Sequence, residues 1–330
     1  MIPNVLSIGG TDPSGGAGIH ADLKAMSANG AYAMAVITSL VAQTTTGVSA
    51  AAPVDPAFVA AQLDTLCADV RVDAVKIGLL PNPQVVAEVA AALDRWHLPH
   101  VVVDPVLVAK SGHRLADADT VEALRRIILP RADLVTPNLD EAAALLDDKP
   151  AGDVAAMHRQ AAALLELGPA RVLLKGGHLP GPTCVDVLVE GALTNEGPVA
   201  PGGRKGRRGG RRGGARGRGG RGKGHGEAKA VELAAPRIAT TSDHGTGCTL
   251  SSAIAALRAR GETWVDAVTD AKRYLTGALA AAVLLDVGHG HGPVHHFFQL
   301  WPPGDPPAAA EVEVEVEVEV EGGSAGRGRP

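Results

Sequence analysis

AVKIGLLPNPQVVAEVAAALDRWHLPHVVVD, residues 74–104, sets two short Val/Ile-rich runs around one Ala/Val/Leu-rich helical pattern. Residues 74–77 and 101–104 have the composition of buried strands, and residues 83–96 that of a helix between them. Two strands joined by such a crossover lie parallel. Outward from this unit the same alternation continues. Strands are expected at 5–9, 33–40, 134–136 and 172–175, with helices at 17–29, 56–68, 118–129, 139–146 and 154–167. Further on, strands are expected at 184–190 and 237–241, paired across an interruption, and helices at 249–260 and 263–285. This order predicts an α/β fold whose mainly parallel central sheet carries helices on both faces.

Composition agrees with that layering. Of 330 residues, 45% are apolar but only 2% are aromatic, so the core must be built from Ala, Val, Leu and Ile. Such side chains suit helices packed on a Val-rich sheet. The three cysteines, Cys67, Cys184 and Cys248, are far apart and form no CxxC pair, which disfavours a disulfide framework or cysteine-rich zinc site and favours a reducing compartment. Neither a secretory signal nor an apolar run long enough to span a bilayer is visible, so the chain reads as cytoplasmic.

The net charge of −5 conceals two opposite excesses. Residues 204–226 carry ten of the 31 basic side chains and no acid, leaving 21 basic against 36 acidic groups elsewhere. That balance disfavours nucleic acid as the ligand of the folded body. The Gly/Arg repeats have no hydrophobic face, so residues 195–235 are expected to be a disordered insertion. The tail, 301–330, contains EVEVEVEVEVE and is expected to stay unordered for want of a sheet edge or a cation to meet its carboxylates. The body is then 1–194 plus 236–300, a single domain.

Open parallel sheets bind ligands beyond the C-terminal ends of their strands. Just past the expected strands stand Gly9-Gly10-Thr11-Asp12, Gln43, Gly78, Asp104, Asn138 and Lys175-Gly176-Gly177. The strongest local signal is Asp243-His244-Gly245-Thr246-Gly247-Cys248-Thr249, which runs into an Ala/Leu helix. Glycines let a phosphate approach the backbone, and the first helical N–H groups have no internal partner. The same field predicts a lowered pKa at Cys248, favouring a thiolate proton acceptor. Equally, Cys248 reads as a small buried hydrophobe at a Gly-rich helix entry.

Asn138 and Glu141 have the spacing of a capping box, which needs no chemistry, although both would also suit a triphosphate and its magnesium. Asp104 ends a buried strand, where a carboxylate needs a partner and can be a metal ligand or a loop anchor. Lys175, before two glycines, suits a phosphate clamp or an ordinary surface position. GGTDPSGGAG is not GxGxxG, and no GxxxxGK[ST] occurs, which argues against a Rossmann dehydrogenase and a P-loop kinase. GHGHGPVHH, residues 288–296, matches no zinc spacing and reads as a glycine-rich loop.

GGTDPSGGAGIHADLKA, LVAQTT, VKIGLL, VVDPVLVAKSG, TPNLDEAAALL, VLLKGGH, HGTGCTLSSAIAA and AKRYL occur in that order. This set closely resembles the hydroxymethylpyrimidine/phosphomethylpyrimidine kinases of thiamin biosynthesis. The resemblance implies a ribokinase-like fold, usually a homodimer, that uses ATP and Mg2+ to phosphorylate hydroxymethylpyrimidine and then its monophosphate. It implies a pyrimidine site at Gly10, Asp22, Gln43, Leu79 and Val106, with Gln43 on the polar edge of the ring. Cys248 matches the catalytic cysteine. Asn138, Lys175, Gly245, Thr246, Gly247 and Lys272 would serve the nucleotide and its phosphates, and Asp104 and Glu141 the magnesium. An exposed helix lysine is an equally open reading of Lys272. Four positions depart from the pattern: Thr44 and Asp243 replace asparagine and threonine, and Leu79 and Leu107 each replace methionine. A pyridoxine/pyridoxal kinase of the same fold is the nearest alternative. An RNA-binding or scaffold role through the Gly/Arg-rich loop is the other, with weak polyanion binding as an accessory property. The loop lacks aromatic residues for base stacking, which disfavours sequence-selective RNA recognition.

Overall fold

The computed structural model describes residues 1–107, 115–191, 229–301 and 315–319, without the side chains of 316–319. The elements run β1 (Asn4–Gly10), α1 (Gly18–Ala28), β2 (Tyr32–Thr44), β3 (Gly47–Pro53), α2 (Pro56–Asp69), β4 (Ala74–Ile77), α3 (Pro83–Trp96) and β5 (Val101–Val103). There follow α4 (Ala118–Ala123), β6 (Leu134–Val135), α5 (Leu139–Leu146), α6 (Val154–Leu165), β7 (Arg171–Leu174), β8 (Thr183–Glu190), β9 (Lys229–Pro236), α7 (Thr246–Ala259), α8 (Trp264–Ala280) and β10 (Glu315–Glu319).

One ten-stranded sheet has the order β10-β9-β8-β7-β6-β5-β4-β1-β2-β3. From β2 through β1, β4, β5 and β6 to β7 every pairing is parallel, while β3 at one edge and β8, β9 and β10 at the other are antiparallel additions. Strand alternation sorts the core onto two faces. Leu6, Val75, Val103 and Val172 pack with α2, α3, α5 and α6. Val5, Ala74, Val102 and Leu173 pack with α1, α7 and α8. Small apolar side chains dominate both faces, as the composition requires. Helix entries are fixed by polar N-caps: Asp55, Asn82, Asp117, Asn138, Asp153 and Thr263 each accept a backbone N–H of the first turn.

The mainly parallel sheet with helices on both faces agrees with the expectation; several boundaries do not. The helix expected at 118–129 is α-helical only to Ala123, then passes through a π turn and a 3-10 turn to Arg131, with Pro130 removing a backbone donor. The strand expected at 237–241 lies instead at Lys229–Pro236, where Val231, Leu233 and Ala235 alternate inward. It therefore reaches into the expected insertion. The hairpin strand β3 was not foreseen, since GVSAAAP is almost wholly exposed and carries no apolar pattern. The tail was expected to stay unordered, yet Glu315–Glu319 pairs antiparallel with β9. β9 supplies the edge whose absence that expectation assumed. The Gly/Arg repeats and residues 108–114 lie outside the described residues. No helix among the described residues is long and apolar enough to cross a membrane.

Candidate active site

The C-terminal ends of the parallel strands open into a cavity of about 940 Å³. Every site residue named from the sequence lines it: Gly10, Asp22, Gln43, Leu79, Val106, Asp104, Asn138, Glu141, Lys175, Gly245, Thr246, Gly247, Cys248 and Lys272.

The phosphate-like end is built on α7. This helix begins at Thr246, three residues earlier than expected, so the N–H groups of Thr246, Gly247 and Cys248 belong to its first turn. Gly245, the N-cap, has φ 77°, and a Cβ there would lie 1.8 Å from the carbonyl oxygen of Gly16. Only glycine fits. A Cβ on Gly247 would lie 3.0 Å from Lys175 Nζ and 3.5 Å from Asp104 Oδ2, so this turn faces that ion pair directly. Lys175 donates to Asp104 Oδ1 at 2.9 Å, and its Nζ is 4.0 Å from Glu141 Oε2. Thr136 Oγ1 adds a 3.2 Å hydrogen bond to Asp104.

Asn138 and Glu141 form the reciprocal capping box of α5, with bonds of 2.9 and 2.8 Å. The structural reading of this motif is thus realised. It leaves Glu141 buried and facing Lys175, so capping and a place in the cavity coexist. Lys272 is not an exposed helix lysine. It is buried and paired with Asp186 Oδ2 at 2.5 Å, while Asp186 Oδ1 accepts the N–H of Gly176 at 2.9 Å.

Gln43 stands beside the hairpin turn of β2, and Leu79 Cδ2 lies where a Cβ on Gly10 would come within 2.9 Å. Asp22 lines the cavity from beneath, fully buried. Its oxygens accept from Lys76 Nζ at 2.8 and 2.9 Å, Ser7 Oγ at 2.6 Å and Ser252 Oγ at 2.7 Å.

The family model described as phosphomethylpyrimidine kinase matches residues 12–199 and 225–295. The chain belongs to this family. It is a kinase. The hydroxymethylpyrimidine/phosphomethylpyrimidine kinase of Escherichia coli is 46% identical over 90% of this chain and 98% of its own. That of Rhizobium meliloti is 43% identical over 91% of this chain and 99% of its own. Among solved structures, the phosphomethylpyrimidine kinase of Clostridium difficile superposes with a TM-score of 0.64 at 34% identity, covering 84% of this chain and 99% of that one. An ADP complex of Bacillus subtilis pyridoxal kinase gives 0.72 at 29% identity, covering 90% and 98%. The fold is that of the ribokinase-like kinases.

Electrostatics correct one expectation about this kinase. Cys248 was expected to have a lowered pKa, yet its thiol is pushed up to about 12. Burial is the main cause, reinforced by the carboxylates of Asp22 and Asp104; Lys76 and the N–H of Gly18 pull the other way without prevailing. The helix terminus alone does not set the charge of this sulfur. Burial opposes the charge on Asp104, but Lys175 and Lys76 outweigh it and hold the carboxyl below its usual range. Glu141, with burial as the larger influence and Asp104 adding repulsion, is raised to about 7 despite Lys175.

Among the cavity residues not assigned from the sequence are Lys76, Asp186, His244 and Arg237. Lys76 left a signal, because a lysine inside the apolar strand AVKI must be buried and must find a carboxylate. Arg237 falls in the wrongly placed strand and instead ties carbonyls of the 177–181 turn: Gly181 at 2.7 Å, Gly177 at 2.8 Å, and Leu179. The GHGHGPVHH run is indeed a loop that folds back on the site, with His291 Nδ1 2.8 Å from Asp243 Oδ1 and His296 Nε2 3.0 Å from Thr249 Oγ1.

Proposed function

We propose that this kinase transfers the γ-phosphoryl group of ATP to the hydroxymethyl group of 4-amino-5-hydroxymethyl-2-methylpyrimidine, and then phosphorylates the monophosphate, in thiamin biosynthesis. The observation that carries the reading is the lining of the cavity. The N-terminus of α7, Lys175 and Asp104 share it with the amide of Gln43 and the apolar side chains of Leu79 and Val106. Two of the curated relatives most similar to the chain carry the name of this activity.

In this reading Gly10, Gln43, Leu79 and Val106 hold the pyrimidine, and Asp22 supports the floor by fixing Lys76. The N–H groups of Thr246, Gly247 and Cys248, reached through the bare backbone at Gly245, would stabilise charge on the transferring phosphoryl group. Lys175 and Asn138 would meet the nucleotide phosphates. Lys272 acts on the nucleotide side by anchoring the Gly176 turn through Asp186.

Asp104 and Glu141 fit a magnesium ion. Two carboxylates stand in a phosphate-like corner beside Lys175, and burial raises one of them, Glu141, to about 7. A magnesium ion held by these two carboxylates would take its remaining ligands from phosphate and water. When bound, magnesium would neutralise charge developing on the phosphates. Cys248, held as a neutral thiol by burial, would have to lose its proton first; its thiolate would then accept the proton of the substrate hydroxyl late, because phosphoryl transfer proceeds through a loose transition state.

The family resemblance also carries the proposal of a homodimer working in the cytoplasm. Tyr32, Leu40 and Phe58, each more than half exposed on the β2 and α2 side, offer an apolar seat for the second copy. Weak polyanion binding by the Gly/Arg-rich segment stays an accessory proposal.

Purified protein, MgATP and the pyrimidine should yield first the monophosphate and then the diphosphate by mass detection. A pyridoxal kinase reading is favoured by the likeness to the Bacillus subtilis enzyme. Turnover of pyridoxine with none of the pyrimidine would establish it in place of the first.

A further inference from the structure

Asp12, His244 and Gln43 stand in line at the pyrimidine end of the cavity. Asp12 Oδ2 is 2.7 Å from His244 Nε2, and the same nitrogen is 3.0 Å from Gln43 Nε2. Asp12 and His244 are both buried. Every other polar contact of the Asp12 carboxylate is a donor: Ser14 N at 2.9 Å, Ser14 Oγ at 2.7 Å and Ala17 N at 2.7 Å. A carboxylate so surrounded is ionised and can only accept. The imidazole nitrogen facing it must therefore carry the proton.

An Nε2–H has no lone pair left for a second donor, so the amide nitrogen of Gln43 cannot be the atom that faces it. The oxygen and nitrogen of a side-chain amide exchange places by a half-turn, and the surrounding network decides between them. Here the network places Gln43 Oε1 against His244 and turns Nε2 away. The ring packs against the bare backbone of Gly16, its Cδ2 lying 2.4 Å from where a Cβ there would be, and the backbone N–H of His244 donates to Gly292 O at 3.0 Å.

We propose that Asp12 and His244 lock the amide of Gln43 in one orientation, so that the pocket presents an acceptor on the His244 side and a donor beside it. This inference rests on the pyrimidine kinase reading and sharpens it. The edge that fits is a ring nitrogen next to an amino-bearing carbon, with the amino group toward His244. An oxo-substituted ring, with a carbonyl beside a ring N–H, has the opposite order and leaves two buried polar groups unpaired. Sites built to read a hydrogen-bonding edge reject its inverse far more strongly than a change of size. His244 and Asp12 are here positioning residues that act through Gln43.

The test compares kcat/KM for 4-amino-5-hydroxymethyl-2-methylpyrimidine and for its 4-oxo counterpart. The intact kinase should prefer the amino compound by on the order of 100-fold or more. In His244→Phe, which keeps a flat ring but removes the donor, Gln43 is free to turn. The preference should fall to roughly tenfold or less, with kcat/KM for the oxo compound rising above the wild-type value. A merely structural role would lower both substrates together and keep their ratio, and that result overturns the proposal. Should the variant fail to fold, long-range 15N–1H correlation of His244 in the unaltered protein reads the tautomer. An Nε2–H supports the lock and a bare Nε2 overturns it. If the wild-type chain turns over neither compound, the substrate reading fails, and the tautomer still judges the lock.

Discussion

Replacing Lys76 by Met should cost more stability than any exposed charge change in this chain. Lys76 and Asp22 are fully buried, and two hydrogen bonds of 2.8 and 2.9 Å join them. Methionine fills most of the lysine's volume, so the loss is electrostatic. Asp22 would keep Ser7 and Ser252 but lose its counter-charge, and stranding one half of a buried pair costs about 3–5 kcal/mol. In a domain of this size that is a fall in Tm of about 10 °C. Adding Asp22→Asn removes the stranded charge while its side chain still bonds the two serines. The double variant should recover to within about 2 kcal/mol of wild type. Burial works against the Lys76 ammonium, but Asp22, Cys248 and Asp104 hold its pKa above the usual lysine value. Its contribution is therefore complete below the unfolded lysine's pKa of about 10.4 and fades only as pH climbs through the higher folded value. Urea melts at pH 7 and pH 9 should give the same loss for the single variant. A loss below about 1 kcal/mol, or a double variant no better than the single one, would refute the argument that this pair is an interdependent buried unit.

Cys248→Ala should lower turnover by roughly 100- to 10,000-fold with nucleotide binding retained by calorimetry. Because burial pushes the free thiol up to about 12, kcat/KM for the pyrimidine should climb with pH between 7 and 9. A flat profile would remove the thiolate from the rate-limiting step. Gly247→Ala places a methyl group 3.0 Å from Lys175 Nζ, so the nucleotide KM should rise at least about tenfold with Tm little changed. An unaltered KM would mean that phosphate does not approach this turn. Glu141, raised to about 7, holds a proton in the folded state that the unfolded chain has already released above its ordinary value, so it destabilises the fold as pH rises through that window. Glu141→Gln, which keeps the cap, should melt above wild type at pH 8 and with it near pH 4, while raising the magnesium requirement. Equal melting at both pH values would contradict the burial argument.

Much of this architecture is written locally. The sequence from Ala74 to Val103 contains a whole strand-helix-strand unit, and its period and length suffice to predict a crossover. The motif ends place Gly10, Asp104, Lys175 and Cys248 on one sheet edge because parallel strands all point the same way. What the residues do to one another is not written locally. The Lys76–Asp22 pair joins positions 54 residues apart, Asp186–Lys272 spans 86, and Asp12–His244 spans 232. The charge on Cys248 was misjudged for the same reason. A helix terminus can be read from a few residues, but burial and the carboxylates that outweigh it, Asp22 in α1 and Asp104 just past β5, are brought there by the fold. The position of β9 was missed because residues 237–241 have more β-branched side chains, whereas burial of Val231, Leu233 and Ala235 is a tertiary effect.

The outermost strand has a property that its neighbours lack. β10 is five residues from an unbroken Glu/Val repeat spanning 311–321, and four windows of the form EVEVE occur in it. A slide by two residues swaps each glutamate for a glutamate and each valine for a valine, so the hydrogen-bonded ladder with β9 is chemically unchanged. The eight strands between β10 and β3 have no such freedom, since any slide would carry different side chains into the core. Four equivalent seatings give the bound tail a multiplicity worth about 0.8 kcal/mol of entropy, taking RT as about 0.59 kcal/mol. The sheet therefore ends in a zipper with several equal notches, attached without being indexed.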